Sequence, residues 1–589
     1  MPMIMVPEER NLTERDLTEQ IDAALGRGPA DLWLRNVRIL DVYTETVFEG
    51  SVLVKNGRIV ALNPEFDPQV SQAVDGQGHY LIPGFLDACT HIDCSLVMPD
   101  ALASGYVPFG TTTVVAEVND LASVLGEGCV AGIKAYFKDR EKLPYRLLGL
   151  APAKNIKLEY TMELLDWEGI SGQGESYGPT TLAAHPDTIA KAVNVRKKQI
   201  FLNGDVEPFS SSDEIGAFAV CGSVNDHEAW TYEAVFQRHR RGIPTQILYE
   251  QGEAQLRFMI QELILGRKLP CENFMFAGDN TYINDMIEGG ILNRLVNWSI
   301  QLGLSPIKAI KMASFYPAQN LGLTNLLGSI TPGRFADFIL TDSLSEIHPL
   351  QVYKGGVLVA EQGRLLHSPR FSYPELRMEF PSDLSDFSME ALEAAFREPD
   401  APRDAQGRCQ VDIMSLNLDG RDRPNAKQVL QTGCCILPAW LPLHNGTVQS
   451  DPEQDTVRLL KVGRRSGRAG RTIGHMYVKG MGFRNCALAM TNLAGGDVVL
   501  VAGDRAEDMY AALQEAGRHS GAIVLASGGT VEAVFDLPYG GMISDLSAQE
   551  AMDQLHQILD PLERRGCRVP QLLTHFWMFA FACADGQPV

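Results

Sequence analysis

The sequence has little positive charge for its length. Its 589 residues include 51 lysine and arginine residues against 73 aspartate and glutamate residues, a formal net charge of −22 at pH 7. Affinity for phosphate backbones comes mostly from clustered lysine and arginine. We therefore expect no nucleic-acid partner.

Long apolar runs and a secretory leader are also missing. The first twenty residues carry acidic groups and no long apolar core. No stretch reaches the roughly 18 apolar residues that a membrane span needs. The eleven cysteines form no Cys-x-x-Cys pair, which fits reduced thiols. We expect a cytoplasmic protein without a membrane partner.

The sequence is long enough for several domains, and it contains the apolar and turn-forming residues that they need. At roughly 100–200 residues per domain, the length suggests three or four units. Residues 11–26 place apolar side chains at helical spacing and predict a helix. Residues 31–75 change to short β-rich runs, and Asn56-Gly57 between two of them is a strong hairpin signal.

Between residues 81 and 328, apolar strand-like runs alternate with longer amphipathic stretches. The strand-like runs include YLIPGFLDA, GTTTVVAEV, AFAVCGSV and NFMFAGD. Such alternation over about 250 residues predicts a (β/α)8 barrel of the TIM type. Strand-like runs return after it, as if completing the sheet begun near residue 31.

The predicted fold class is therefore α/β, with a TIM-type barrel inserted in a small β-sandwich and a C-terminal α/β domain after it. The predicted units are the N-terminal helix with the first part of the sandwich (1–80), the barrel (81–328), the second part of the sandwich (329–370), a linker rich in Pro, Asp and Arg (371–427) and the C-terminal domain (428–589).

Barrel enzymes carry their catalytic groups where the strands end, at the carboxyl face. Polar or ligand-type residues stand at several predicted strand ends in this sequence. They are Cys89 and His91, which share a strand face because they are two residues apart, then Glu175, then Asp226, His227 and Glu228, and finally Asp279.

With these residues in order, the chain resembles the adenine deaminase family of the amidohydrolase superfamily over nearly its whole length. The resemblance is carried by ADLWLRNVRILDVYTETVFEGSVLVKNGRIVAL, PGFLDACTHIDCSLVMP, GTTTVVAEVNDLASVLG, NDHE, KMASFYPAQNLGL and PGRFADFIL. YVKGMGFRNCALAM, GDRAEDMYAAL and LPYGGMISDLSAQEA resemble the C-terminal domain that is specific to adenine deaminases. By this resemblance, residues 81–328 form a metal-dependent hydrolase barrel.

The resemblance implies a hydrolase of purine metabolism that converts adenine and water to hypoxanthine and ammonia. It implies a divalent metal (manganese, iron or zinc), a small purine or related heterocycle as substrate, and a homo-oligomer. The matching metal positions are His91, Glu175, His227 and Asp279, with Asp279 shuttling the water proton and Glu228 protonating the ring. The expected substrate-binding residues are Asp226, Glu250, Met542 and Asp545, the last two in a segment that closes over the pocket.

Several positions where the family carries histidine hold other residues here. They are Cys89, Asn119, Asp205, Ile291 and the pair Ala494 and Asp497. Cys89 and Asp205 are competent ligand types, and a thiolate favours zinc or iron over manganese. Alternatively, the metal is lost and the chain is a catalytically silent binding or assembly subunit, or the same barrel hydrolyses a cyclic amide.

Overall fold

A computed structural model describes residues 6–154, 156–176, 178–206, 210–377, 384–416, 428–429, 434–464 and 472–583. The predicted linker and C-terminal domain therefore lie partly outside the described residues. In the part of the chain that the structure describes, we find no helix with the length and apolar character of a membrane span.

The predicted N-terminal helix is confirmed and spans Glu14–Ala24, after a short helix at Pro7–Arg10. Thr13 fixes its start through a capping box. The Thr13 hydroxyl accepts from the Asp16 N–H, and the Asp16 carboxylate accepts from the Thr13 N–H.

The predicted hairpin at Asn56-Gly57 is also confirmed. Asn56 and Gly57 have φ values of 49° and 74°, the left-handed conformations that a tight two-residue turn requires. The turn joins two strands of one sheet. The strands of this sheet are Ala30–Asp41, Thr46–Lys55, Arg58–Leu62, Val70–Asp75, Tyr80–Pro83, Phe338–Thr341, Pro349–Lys354, Val357–Glu361 and Arg364–Leu365.

This sheet combines strands from before and after the barrel. Tyr80–Pro83 pairs antiparallel with Phe338–Thr341, with Leu81 opposite Leu340. Their apolar side chains belong to a buried cluster that also includes Leu34. The two pieces of sheet on either side of the barrel sequence therefore pack as one body.

The barrel is built from parallel strands. They are Phe85–His91, Thr111–Glu117, Arg146–Ala151, Gly172–Gln173, Phe201–Leu202, Thr245–Leu248 and Phe274–Ala277. A further strand position, residues 225–226, lies between Phe201–Leu202 and Thr245–Leu248. Asp226 bridges in parallel to Thr245, and Thr90 bridges in parallel to Asp279. The N–H groups of Gly204 and Val206 donate to the side chains of Asn225 and Asp226 at the remaining junction. Eight strand positions thus follow one another around a ring among the described residues, and the TIM-type fold expected from the sequence is confirmed.

One strand prediction in the barrel is wrong. The run AFAVCGSV lies largely in a helix, Ser212–Cys221, whose Ser211 cap forms a capping box with Glu214. A short apolar run fits a buried helix as well as a strand, and the cap decides between them. The strand position comes later, at 225–226, where Gly204 must lack a side chain because a Cβ would lie 1.7 Å from Asn225 O.

Helices surround the barrel strands. They are Pro99–Tyr106, Asn119–Leu125, Cys129–Phe137, Leu158–Asp166, Gly178–Leu182, Pro186–Lys198, Ser212–Cys221, Tyr232–His239, Gly252–Arg257 continued by Phe258–Gly266, Ile283–Ile287, Leu292–Gln301, Pro306–Met312 and Phe315–Asn320. The strands they cover are buried along their whole length, as expected for a parallel sheet shielded on its outer face.

The C-terminal unit is a second sheet with helices. Its strands are Cys409–Ser415, Gln428–Val429, Cys435–Leu441, Thr456–Gly463, Ile473–Lys479, Ala487–Met490, Val498–Gly503, Ala522–Ser527 and Thr530–Asp536, with a small ribbon at Leu443–His444 and Thr447–Val448. Its helices are Met389–Ala395, Ala506–Ala516, Ala548–Arg564 and Leu572–Ala582. The segment predicted as a linker thus contributes a helix and a strand, and that strand pairs with Cys435–Leu441.

The C-terminal unit covers the carboxyl face of the barrel. Its side chains donate hydrogen bonds to segments that directly follow barrel strands. These bonds join Asn492 Nδ2 to Asp93 O at 3.2 Å, Trp577 Nε1 to Asp120 Oδ2 at 3.1 Å, Gln571 Nε2 to Tyr249 O at 3.1 Å and Thr574 Oγ1 to Asn280 O at 3.3 Å. The face where barrel enzymes keep their chemistry is therefore closed off by this second unit.

Candidate active site and metal centre

Cys89 and His91 lie on the first barrel strand and are buried. Asp279, just beyond the last barrel strand, is hydrogen-bonded to both. Its N–H donates to Cys89 O at 2.9 Å, and its carbonyl accepts from the His91 N–H at 3.1 Å. These bonds place Asp279 Oδ1 3.5 Å from His91 Nε2. Asp279 holds a φ of 62°, an uncommon conformation for a residue other than glycine.

Glu175 is the central carboxylate of the cluster. Its Oε2 lies 3.6 Å from His91 Nε2, and its Oε1 lies 3.5 Å from His227 Nε2. The Cys89 thiol donates to Oε1 at 3.8 Å. The structure therefore brings together residues that are far apart in the sequence, and Glu175 contacts ligand-type atoms from two sides.

His227 and Glu228 follow the strand position at 225–226. His227 Nε2 lies 3.8 Å from Glu228 Oε1, and Nδ1 lies 3.3 Å from Gln246 Oε1, which orients the ring. Asp205 completes this side of the cluster, since one ligand atom each of Asp205, His227 and Glu228 lie within 4.8 Å of one another.

Lys154 and Asn203 also line the cluster, and neither was predicted as a site residue. Lys154 Nζ lies 2.7 Å from Glu175 Oε2 and 2.6 Å from Asp205 Oδ2. Asn203 Nδ2 donates to Cys89 Sγ at 3.1 Å and to Glu117 Oε1 at 2.9 Å. The signal that could have found them is position, because each closely follows a barrel strand.

The cluster contains more carboxylates than cations. Burial raises the pKa of Glu117 to about 7 and that of Glu228 to about 8. Burial also raises the pKa of Glu250 and of Asp279 above the ordinary values, although His227 and His91 oppose the shift at Asp279. Negative charge on these buried carboxylates is therefore unfavourable unless a further positive charge enters the site.

Glu175 and the two histidines shift in the opposite sense. Burial alone would raise the pKa of Glu175, but Lys154 and His227 hold it well below the ordinary range. Burial would lower the pKa of both histidines, yet Glu175 and Asp279 raise that of His227 to about 10 and that of His91 well above its usual value. Without a metal, the protonated forms of His91 and His227 balance the negative charge of the carboxylates. A bound cation would supply that positive charge instead.

The donor set is compatible with a divalent metal. His91 Nδ1 and Asp279 Oδ1 are buried and have no hydrogen-bond partner among the described residues. The donor atoms around Glu175 lie 3.5–3.8 Å apart. That spacing is close to the edges of about 3.3–3.7 Å expected when thiolate, imidazole and carboxylate share one tetrahedral metal at about 2.0–2.3 Å.

The other predicted residues have different surroundings. Asp226 is fully buried and pairs with the equally buried Arg238, and its Oδ1 accepts from the Val206 N–H. Glu250 Oε2 accepts from Asn280 Nδ2 at 2.7 Å, next to Asp279 in sequence. Asp226 is thus engaged within the protein, whereas Glu250 lies at the edge of the cluster.

Met542 and Asp545 lie on a C-terminal loop. Met542 O accepts from Asn492 Nδ2 at 2.7 Å, and Asp545 Oδ2 accepts from the Tyr539 hydroxyl at 3.0 Å. Between them, Ser544 donates to Leu96 O, just after the first barrel strand. The loop therefore belongs to the part of the C-terminal unit that covers the barrel.

Comparison with known proteins agrees with this arrangement. The profile of the amidohydrolase family matches residues 267–366, and that of the adenine deaminase C-terminal domain matches residues 437–585. An adenine deaminase of Desulforamulus reducens is 33% identical over 571 residues, covering 94% of this chain and 92% of that protein. The chain belongs to the adenine deaminase family. Adenine deaminase 3 of Rhizobium meliloti is 28% identical, covering 93% and 91% of the two chains.

Among solved structures, an adenosine deaminase from Xanthomonas campestris with bound zinc superimposes with a TM-score of 0.43 at 14% identity, covering 57% of this chain and 94% of that one.

The predicted family and hydrolase class are confirmed by the family matches: the protein is an adenine deaminase-like hydrolase of the amidohydrolase superfamily. Members of that superfamily use divalent metals, and this chain gathers candidate ligands for one.

Proposed function

We propose that this adenine deaminase family member replaces the exocyclic amine of adenine, or of a closely related amino-heterocycle, with the oxygen of water. Adenine and water then give hypoxanthine and ammonia. The observation that carries the proposal is the buried cluster of His91, Glu175 and Asp279 at the barrel mouth, in a chain whose relatives named adenine deaminase match it over more than nine-tenths of its length.

We propose Cys89, His91, Glu175, His227 and Asp279 as the residues that would hold a divalent metal. When bound, such a cation acts as a Lewis acid and lowers the pKa of a coordinated water to about 7. The Cys89 thiolate favours zinc or iron over manganese, because sulfur is a soft ligand. Asp205, another residue in a histidine position and the second predicted substitute ligand, is instead paired with Lys154.

In this proposal Asp279 moves the water proton. Its Oδ1 is buried beside His91 Nε2 and has no hydrogen-bond partner among the described residues, so it is free to accept a proton from a water in the cluster. The same carboxyl then delivers that proton to the departing amine, which leaves as ammonia, and the proton remaining on the new oxygen restores the Glu228 carboxyl.

Glu228 acts as the acid toward the ring. Because burial raises its pKa to about 8, its carboxyl is mostly protonated at neutral pH and donates to a ring nitrogen as negative charge develops there. Its Oε1 lies 3.8 Å from His227 Nε2, at the edge of the cluster. The C-terminal unit over the barrel mouth excludes bulk water and strengthens both interactions.

We further propose a homo-oligomeric, cytoplasmic enzyme that acts on a small molecule and binds no nucleic acid. No disulfide joins the cysteines of the described residues, which fits a reducing compartment. The net charge of −22 opposes binding to nucleic acid. Light scattering on the purified protein measures the oligomeric state, and a monomer would contradict that part of the proposal.

The test is turnover by metal-replete protein. Zinc- or iron-loaded enzyme is incubated with adenine, and hypoxanthine and ammonia are quantified together, with Asp279→Asn as a near-isosteric control. Equal release of both products, lost in the control, supports the proposal. Hydrolysis of a cyclic amide such as dihydrouracil without adenine turnover would replace it with the cyclic-amide alternative. Metal-independent purine binding without turnover would support the silent-subunit alternative.

A further inference from the structure

Among the described residues of the cluster, Lys154 is the one positive charge that does not come from a protonated histidine. It lies three residues beyond the strand Arg146–Ala151, and its side chain is 27% exposed. Its ammonium contacts one oxygen of Glu175 and one of Asp205, at 2.7 and 2.6 Å. These are short, charge-assisted hydrogen bonds.

The cluster offers two groups of metal-ligand atoms. Cys89, His91 and Glu175 form one group, and Asp205, His227 and Glu228 form the other, with the ligand atoms of each group lying within 4.8 Å of one another. By spacing alone, the site could hold two cations. Lys154 takes one carboxylate from each group, so its ammonium lies where the two groups meet.

The ammonium and a second divalent cation would compete for the same oxygens. A metal bound to Asp205 Oδ2 and shared with Glu175 would have to approach the atoms that Lys154 now contacts. A metal ion and an ammonium that share the same oxygens would be close neighbours, and two positive charges so close repel strongly in a largely buried site. Lys154 also satisfies the negative charge that would otherwise attract the second ion.

The group of Cys89, His91 and Glu175 keeps Glu175 Oε1 for a metal, because Lys154 contacts only the Oε2 atom of that carboxylate. Asp279 Oδ1 lies 3.5 Å from His91 Nε2 and has no hydrogen-bond partner among the described residues. Cys89 Sγ and Glu175 Oε1 are 3.8 Å apart. A single cation can therefore be held beside His91 while Lys154 keeps its two contacts.

We propose that the Lys154 ammonium is a built-in cation that takes the place of a second metal ion, so that the protein binds one divalent metal per chain, on the Cys89, His91 and Asp279 side. Lys154 is then a positioning residue, which orients Glu175 toward that metal and holds Asp205 away from it. This inference rests on the proposed metal-dependent function and specifies its metal content.

The test is metal stoichiometry. Apoprotein is loaded with excess zinc, dialysed, and its metal per chain is measured by mass spectrometry. Wild type is expected to hold one ion. Lys154→Met, which keeps the length of the side chain without its charge, is expected to hold two, and Lys154→Arg, which keeps the charge, is expected to hold one.

A double variant locates the second ion. Adding Asp205→Asn to Lys154→Met removes the proposed oxygen ligand and is expected to return the content to one ion per chain. Loading with manganese gives an independent readout, because two neighbouring ions in Lys154→Met couple magnetically and change the electron paramagnetic resonance spectrum, whereas the single ion in wild type does not.

The outcomes separate this inference from the proposed function. Two ions in wild type, or one ion in a folded Lys154→Met variant, overturns the role of Lys154, whether or not adenine is deaminated. The expected stoichiometries without adenine turnover support the role of Lys154 and refute the substrate. Wild type that binds no metal overturns both. The wild-type measurement stands even if the variants fail to fold.

Discussion

Trp577 of the C-terminal helix donates its indole N–H to Asp120 Oδ2 of the barrel at 3.1 Å, and its ring centre lies 6.2 Å from that of His91. The bond joins Leu572–Ala582 to the segment after the second barrel strand. A side chain from one unit thus forms part of the wall around the candidate metal ligand of the other. The C-terminal unit is a component of the site as well as a cover.

Trp577 gives the first prediction. Trp577→Ala removes a buried aromatic side chain and is expected to cost about 3–5 kcal/mol of unfolding free energy. It should also raise KM for adenine, because it opens the site to water. Trp577→Phe keeps an apolar ring and loses only the hydrogen bond, so we expect a smaller effect on both. Thermal unfolding and steady-state kinetics check this, and equal effects of the two variants would contradict it.

Asp279 gives the second prediction. Asp279→Asn keeps the backbone bonds to Cys89 and His91 but removes the proton acceptor. We expect kcat to fall by about 10²–10⁴-fold, the usual contribution of a positioned acid–base group. Hypoxanthine formation, measured on protein with verified metal content, checks this. Activity within tenfold of wild type would assign the proton transfer to another group.

Cys89 gives the third prediction, which tests whether its thiolate binds the metal or its side chain only packs in the apolar core. In protein loaded with cobalt, a thiolate ligand produces a charge-transfer absorption band. We expect this band in wild type and its loss in Cys89→Ser, together with a 10-fold or greater loss of zinc affinity. Cys129→Ser is the matched control, because Cys129 is equally buried on a barrel helix. A band that survives Cys89→Ser would refute the thiolate ligand.

Asp226 gives the fourth prediction. Asp226→Asn removes the negative charge that pairs with the guanidinium of Arg238, and both side chains are fully buried. We expect a loss of about 3–5 kcal/mol in unfolding free energy. Glu253→Gln, in an exposed pair with Arg257, is the control and should cost at most about 1 kcal/mol. If Asp226→Asn instead unfolds like wild type and raises KM, Asp226 binds substrate, as the family resemblance implied.

His519 gives the fifth prediction, a pH effect far from the barrel cluster. Its hydrogen bond to Asp536 at 2.9 Å, with a second contact to Glu515, raises the pKa of His519. Protons are therefore bound more tightly in the folded state than in the unfolded state. The added stability is complete below the unfolded pKa near 6.5 and is lost as pH rises through the folded pKa.

Asp536→Asn should abolish that stability. We expect it to lower the unfolding free energy at about pH 5.5, by no more than about 1 kcal/mol because the pair is partly exposed, and to have little effect near pH 9. Urea unfolding at the two pH values measures the difference. An effect of the same size at both would show that the charge of His519 is not involved.

Much of the site could be predicted because barrel strands concentrate functional groups at their carboxyl ends. That rule selected Cys89, His91, Glu175, His227 and Asp279, and the structure brings their ligand atoms together. Lys154 also follows a barrel strand, but its residue type argued against selecting it. A lysine in a loop is usually solvated, and nothing in its neighbours indicates that it reaches back to two carboxylates.

Other features depended on contacts that a single segment does not encode. The run AFAVCGSV forms a helix because Ser211 and Glu214 cap it, a signal that lies before the apolar run. Trp577 reaches Asp120 across more than 450 residues of sequence, so its place in the site wall follows only from how the two units pack. Long-range packing of this kind is outside what local patterns predict.

The sheet that joins Tyr80–Pro83 to Phe338–Thr341 has a mechanical consequence for the barrel. The first strand, Phe85–His91, begins just after one of these strands, and the other follows the last barrel helix, Phe315–Asn320. Backbone hydrogen bonds outside the barrel thus hold its entry and exit side by side. A peptide bond cut in an exposed barrel loop would leave both fragments anchored to the same sheet, so a nicked chain keeps its shape until that sheet opens.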